Sequence, residues 1–275
     1  MSETQDNRGQ RADVALVSRG LAASREKAQA LIAAGLAAVN SVKIAKSAQK
    51  VQEQDVLEVL GAAHPYVSRG GLKLEKALKV FEANPSGLVC MDIGASTGGF
   101  TDVLLQNGAR HVYAIDVGAG QLDPSLAGDP RVTSMEHVNA RALSDDMFPE
   151  PPTLGVMDVS FISIRLILPA ALPILGASGR MIMLVKPQFE AGRQHIGKRG
   201  IVSKPAAHIE VLETLVSFLP TLGWQARALD YSPIAGGDGN IEFLADLVPI
   251  GEAPVFIDHK TIEALVRRAH AAMKT

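Results

Sequence analysis

Apolar residues run along this chain in two alternating styles. Short unbroken runs occupy residues 88–91, 112–115, 154–157 and 181–185. Such runs, flanked by turn-forming or charged residues, predict strands buried on both faces. Each ends in a charged residue: Asp92, Asp116, Asp158 and Lys186. Spaced apolar stripes between them predict helices over 100–106, 206–219 (closed by Pro220) and 261–273, and over 162–175 with interruptions at Pro169 and Pro173. Ahead of the first run, Leu74, Ala77, Leu78 and Phe81 share a helix face opposite Leu72, Lys76 and Lys79. Residues 131–135 predict a third strand, 224–231 and 240–247 the last two. Residues 118–126 read as a loop or helical turn, and 188–204 as a loop. This alternation predicts an α/β fold with a mostly parallel sheet covered on both faces. Strand 240–247 is expected to be the one antiparallel member.

The first 60 residues follow a different rhythm. Helices are predicted over 13–19 and 24–34, and strands over 39–44 and 56–60. Ser24 reads as the N-cap of the second helix, Ala28, Leu31 and Ile32 share one face, and Gly35 ends it. Gly61-Ala62-Ala63-His64-Pro65 is short, small and closed by proline. The expected division is therefore a small α+β domain over 1–60, a linker over 61–65 and a large domain over 66–275.

Composition narrows the possibilities. The chain has 275 residues, 47% of them hydrophobic, enough for a sizeable core. Its formal net charge of −2 gives no global basic footprint, so any nucleic-acid contact has to come from local patches. One cysteine, Cys90, excludes an intrachain disulfide and a Cys-rich metal centre, and no metal site is read from the sequence. The most apolar stretch, 161–177, contains Arg165, Pro169 and Pro173 and does not read as a membrane span. No signal-peptide pattern is read in the polar first residues, and the expected compartment is the cytoplasm.

The candidate chemistry begins after the first buried run. Asp92 is followed by Ile93, then by Gly94-Ala95-Ser96-Thr97-Gly98-Gly99-Phe100, a small-residue turn into a helix start. Glycines let backbone approach a ligand closely, and a helix start offers free N–H groups. Asp116-Val117 ends the second strand, where an acid accepts hydrogen bonds from a ribose diol. That geometry serves NAD and S-adenosylmethionine alike. The spacing Asp-x-Gly-x-x-x-Gly-Gly departs from the dinucleotide fingerprint and resembles motif I of S-adenosylmethionine methyltransferases. Asn139, after the third strand, stands where an adenine ring would lie in such a fold, either bonding its edge or capping a turn.

Arg11, Leu16, Val17, Arg19, Gly20, Leu21, Ser24, Arg25, Ala28, Leu31, Ile32, Gly35, Val39, Asn40 and Lys43 together resemble the S4 domain, a small RNA-binding fold. Ser41 stands where that family usually has glycine. Arg11, Arg19, Ser24, Arg25, Lys27 and Lys43 are the candidate RNA contacts there. Asp13, Glu26, Glu53, Asp55 and Glu58 nearly balance the positive charge, so a solvated charged surface stays an alternative.

Four charged residues are expected at one rim of the sheet: Lys73 from the preceding helix, Asp158 and Lys186 from strand ends, and Glu242 from the start of the antiparallel strand. A lysine held near carboxylates can align a ribose 2′-hydroxyl and draw off its proton. The segments carrying these residues resemble the FtsJ-like ribose methyltransferases: Tyr66 to Lys73, Asp92 to Thr101, Asp116-Val117-Gly118, Asp158 to Ser163, Leu184 to Glu190, and Gly239 to Glu242. With the S4-like start, the whole chain resembles the TlyA family. The resemblance implies a Rossmann-like fold, a Lys73-Asp158-Lys186-Glu242 catalytic tetrad and S-adenosylmethionine as cofactor. It also implies 2′-O-methylation of cytidine in 16S and/or 23S ribosomal RNA, with ribosomal subunits as partners. Arg69, Arg141 and the basic loop residues Arg193, Lys198 and Arg199 extend the expected RNA surface. Some members of that family carry a haemolysin label. The alternatives are a methyltransferase acting on another substrate and a haemolysin without enzymatic action.

Overall fold

The Ser24 side chain accepts a hydrogen bond from the Lys27 amide at 3.2 Å and starts a helix at Arg25. The computed structural model describes residues 9–22, 24–60, 64–197, 200–236, 239–251 and 255–273. They fall into two units, residues 1–65 and 66–275. In the first, β1 (Gln10–Arg11), α1 (Ala12–Ser18), α2 (Arg25–Ala33), β2 (Ala37–Val39), β3 (Val42–Lys43), β4 (Lys50–Val51) and β5 (Leu57–Val59) follow in order. An antiparallel sheet runs β3-β2-β5, and β1 pairs with β4. Ala12, Leu16, Ala28, Ile32, Ile44 and Val51 fill its core. The single strand expected over 39–44 is instead a hairpin. Asn40 (φ 49°) and Ser41 (φ 65°) both take the left-handed conformation that a two-residue turn requires. The Asn40 side chain holds that turn, donating to Asp55 and accepting from the Val56 amide, both at 2.8 Å.

The second unit begins with α3 (Gly71–Val80). Then come β6 (Val89–Ile93), α4 (Gly99–Gln106), β7 (His111–Ile115), α5 (Pro124–Ala127), β8 (Val132–Met135) and β9 (Leu154–Met157). It continues with α6 (Leu168–Ile174), β10 (Arg180–Val185), α7 (Pro187–Glu190), α8 (Pro205–Phe218), β11 (Trp224–Tyr231), β12 (Phe243–Pro249) and α9 (His259–Ala272). The sheet order is β11-β12-β10-β9-β6-β7-β8. Neighbours pair in parallel from β10 to β8, and β12 runs antiparallel to both β10 and β11. Alternate strand residues face opposite cores. Met91, Ile93, Met157 and Met183 pack with side chains of α6, α8 and α9. Cys90, Val156, Ile182 and Leu184 pack with α3 and α4. The helical-turn alternative for 118–126 holds, with Pro124 starting α5, whereas the loop expected from 188 carries a short helix, α7, which Pro187 starts directly after Lys186. Proline is favoured at the first helical position because its missing N–H would be unpaired there.

Candidate active site

Gly94 sets the geometry of the rim. Its amide and that of Ala95 donate to the Ile115 carbonyl at 2.8 and 3.1 Å, curling the chain over the end of β7. Its φ is +82°, and a Cβ there would lie 2.8 Å from the Asp158 carbonyl oxygen. Glycine alone lets the turn after β6 pass this close to the end of β9.

Beside that contact, four charged side chains meet. The Lys73 ammonium lies 2.6 Å from Oε2 of Glu242 and 3.5 Å from Oδ2 of Asp158. The Lys186 ammonium lies 2.5 Å from Oδ1 of Asp158 and donates to the Ser160 hydroxyl at 2.9 Å. Asp158 thus bridges both lysines, one through each oxygen. Lys73, Lys186 and Glu242 are 8%, 8% and 2% exposed, and the Asp158 side chain 19%. Two cationic and two anionic side chains thus balance one another in a poorly solvated place. Lys73 comes from the first turn of α3, Asp158 and Lys186 follow parallel strands, and Glu242 precedes the antiparallel β12.

Two adjoining cavities open on this cluster. The larger, about 570 Å³, is lined by Ile93, Ile115, Val138, Ile162 and Ile167 on its apolar side, and by Asp116, Asn139 and Arg141. The smaller, about 190 Å³, is lined by Ser68, Gly70, Ala95, Thr97, Gly99, Phe100 and Lys186. Gly94, Ser96, Asp158 and Ser160 border both. Val117 lines the larger one and is 73% exposed. Asp116 accepts from the Ser96 and Gly118 amides, each at 2.8 Å, which fixes its carboxylate at the cleft wall. Asn139 caps a helical turn, its side-chain oxygen accepting from the Arg141 amide at 3.1 Å and from Arg141 Nε at 3.3 Å.

Two expected cofactor residues line neither cavity. Asp92 is fully buried beneath the turn, where the Thr101 hydroxyl donates to its Oδ2 at 2.7 Å. Its Oδ1 has no hydrogen-bond partner among the described residues. Burial, with the nearby Asp158 charge adding to it against the Thr101 hydrogen bond, pushes its carboxyl up to about 7. Gly98 (φ +96°) lies against Leu122 and Leu126 instead. Both residues shape the turn from behind.

The expected RNA contacts differ in how freely they face solvent. Arg11 donates twice to the buried Asp13 at 3.0 Å, and Arg25 once at 2.9 Å. The Arg11 bonds and lesser ones hold the Asp13 carboxyl well below the ordinary carboxylate range. Arg19 donates to the Asp55 and Gln52 carbonyls at 2.5 and 2.8 Å. These arginines hold their own domain together, and Ser24 serves as the cap already described. Lys27, Lys43, Arg69, Arg141 and Arg193 are exposed. Lys198 and Arg199, with part of the expected 61–65 linker, lie outside the described residues.

Sequence reasoning passed over four residues here. Ser160 bonds Lys186. Glu190, the one acid of residues 188–204, accepts from the Ser163 hydroxyl at 2.7 Å and the Ile164 amide at 2.8 Å. It thereby ties α7, next to Lys186, to the segment after Asp158, and burial pushes its carboxyl up. That lone acid among basic residues was the available signal. Buried Asn240 accepts from the Val202 amide at 2.9 Å and donates to the Gly200 carbonyl at 3.1 Å. Phe161 lies in the larger cavity wall, 92% exposed at a φ of 65°.

Residues 66–247 match the FtsJ-like methyltransferase family, and residues 10–57 match the S4 domain. YqxC of Bacillus subtilis is 47% identical over 268 residues, 96% of this chain and 95% of that protein. The 16S/23S rRNA (cytidine-2′-O)-methyltransferase TlyA of Mycobacterium tuberculosis is 41% identical over 234 residues, 85% of this chain and 87% of that one. A solved structure described as a haemolysin candidate from Streptococcus thermophilus is 46% identical. It superimposes with a TM-score of 0.78 over 98% of each chain.

Proposed function

This chain belongs to the TlyA family, an S4 domain followed by an FtsJ-like methyltransferase domain, and from that premise we propose that it methylates the 2′-hydroxyl of a cytidine in 16S and/or 23S ribosomal RNA, with S-adenosylmethionine as methyl donor. The observation that carries the proposal is the Glu242–Lys73–Asp158–Lys186 cluster at the junction of the two cavities. The name of the 41% identical relative supports the base and the RNA class.

The larger cavity suits the cofactor's nucleoside. About 570 Å³ falls within the roughly 300–1,000 Å³ usual for ligand pockets. Apolar walls from Ile115, Val138 and Ile162 suit an adenine face, and Asp116 at the end of β7 suits a ribose diol. The glycine turn leaves room that a Cβ at Gly94 would fill. When bound there, S-adenosylmethionine supplies an electrophilic methyl on a positively charged sulfur.

The protein's own residues do the rest. Asp158 holds Lys186 by one oxygen and reaches Lys73 by the other, so neither ammonium swings freely. Glu242 holds Lys73 from the far side. Lys186 lines the smaller cavity, where the ribose hydroxyl has to enter. The Lys186 ammonium would donate a hydrogen bond to the ribose 2′-oxygen, steering it and stabilising its negative charge as the hydroxyl proton leaves to solvent. Much of the rate would come from positioning, since fixing two reacting groups in line removes most of the entropic barrier. Lys27, Lys43, Arg69, Arg141 and Arg193 would meet RNA phosphates, giving salt-dependent binding.

The test combines purified protein, cofactor labelled on its methyl group, and isolated ribosomal subunits. Label in ribonuclease-sensitive material, mapped by primer extension to a 2′-O-methylcytidine, is the expected result. Label that survives ribonuclease digestion would mean a protein substrate.

A further inference from the structure

The Lys186 ammonium carries three N–H bonds. Asp158 Oδ1 lies 2.5 Å away as an ion-pair partner without hydrogen-bond alignment, and the Ser160 hydroxyl accepts one of the three at 2.9 Å. The lysine side chain is 10% exposed, so water competes little for these bonds. An ion pair without that alignment fixes a distance and leaves the ammonium free to turn about Cε–Nζ. The directed bond to Ser160 stops that rotation, and tetrahedral geometry then sets the directions of the other two N–H bonds. Ser160 borders both cavities, where the larger cleft meets the smaller pocket. It is the second residue after Asp158, so one short segment supplies both the ion-pair partner and the hydrogen-bond acceptor of Lys186.

We propose that Ser160 is a positioning residue for the ribose methylation, orienting the Lys186 ammonium toward the incoming 2′-hydroxyl; this rests on the function proposed above. Ser160 acts through Lys186 and forms no bond to carbon. Its hydroxyl keeps its own proton to donate and a second lone pair, which the adjacent substrate or a water can use. The ordinary alternative is an exposed serine on the rim whose bond to lysine is incidental. The two differ in what its loss does. An incidental rim serine changes nothing or weakens binding, whereas an orienting one lowers turnover and leaves binding intact.

Ser160→Ala and Ser160→Thr separate these cases, because the position is exposed and either side chain fits without disturbing the core. For Ser160→Ala, kcat on ribosomal subunits should fall roughly ten- to a hundredfold, the usual scale for misplacement of a reacting group. KM for the subunits, the Kd for S-adenosylmethionine and the thermal midpoint should stay within about twofold of wild type. Ser160→Thr, which keeps a hydroxyl, should restore kcat to within about threefold. Wild-type kcat in Ser160→Ala overturns the proposal, as does a loss of turnover matched by weaker cofactor binding or unrescued by threonine. In those cases the methylation reading itself survives. A wild-type protein that methylates no ribose removes that reading and this assignment together.

Discussion

Lys73 and Glu242, 169 residues apart in the chain, form a 2.6 Å ion pair whose side chains are 10% and 3% exposed. Removing either partner leaves a poorly solvated charge behind. Lys73→Met should therefore lower unfolding stability by about 3–5 kcal/mol, and Lys73→Met with Glu242→Leu should recover part of it. Urea denaturation of the single and double variants measures this. Both should lack methyl transfer, so recovered stability without recovered activity would separate the two roles of the pair.

Asp116 lines the cleft and Asp92 does not. Asp116→Ala should weaken S-adenosylmethionine binding by roughly ten- to a hundredfold, on the scale of one or two charge-assisted hydrogen bonds. Asp92→Asn should weaken it less. Calorimetric titration of both variants checks the order, and a larger loss from Asp92→Asn would reverse the placement.

The buried Asp92 carboxyl, raised from 3.8 to about 7, makes stability depend on pH in a definite direction. Below the unfolded value the carboxyl is neutral in both states, and its full stabilising effect is present. As pH climbs through the folded value, the protein has to hold a desolvated charge, and that effect is lost. Wild type should therefore lose stability relative to Asp92→Asn between about pH 4 and pH 7. Urea midpoints of both proteins across that range should diverge; parallel curves would show that Asp92 stays ionised.

Glu190 anchors the segment after Asp158 through Ser163 and Ile164. Glu190→Ala leaves the Ser163 hydroxyl and the Ile164 amide without their acceptor, at a cost of about 1–3 kcal/mol for a buried unpaired group. Glu190→Gln keeps one acceptor oxygen and should cost less. Thermal unfolding ranks the two, and methyl transfer should follow the same order because Lys186 precedes α7 directly.

Basic residues of the first unit divide by what they already hold. Lys27→Ala and Lys43→Ala should each weaken RNA binding and reduce the slope of log affinity against log salt by about one. Arg11→Ala should lower thermal stability first, because the buried Asp13 then loses two hydrogen bonds. Filter binding across a salt series, beside thermal unfolding, distinguishes the groups.

Much of this was written in local order. The buried runs ending at Asp92, Asp116, Asp158 and Lys186 predicted the parallel strands, since continuous apolar stretches suit strands covered on both faces. β12 runs antiparallel as expected of that strand, and Glu242 lies just before it rather than within the expected 240–247. The Asn40–Ser41 turn was less legible, because serine carries no strong preference for the left-handed conformation it takes there. α7 was obscured by brevity, as one turn has no periodicity to detect.

Sequence by itself determined the order of the elements, the division of apolar and polar faces, and the family motifs, because each depends on residues a few positions apart. Only the tertiary structure decided which oxygen of Asp158 faces which lysine, that Asp92 lies beneath the turn rather than in the cleft, and that Arg11 and Arg25 serve Asp13. Those outcomes depend on distances between strands and helices far apart in the chain. Side-chain partners are fixed only once packing has set those distances.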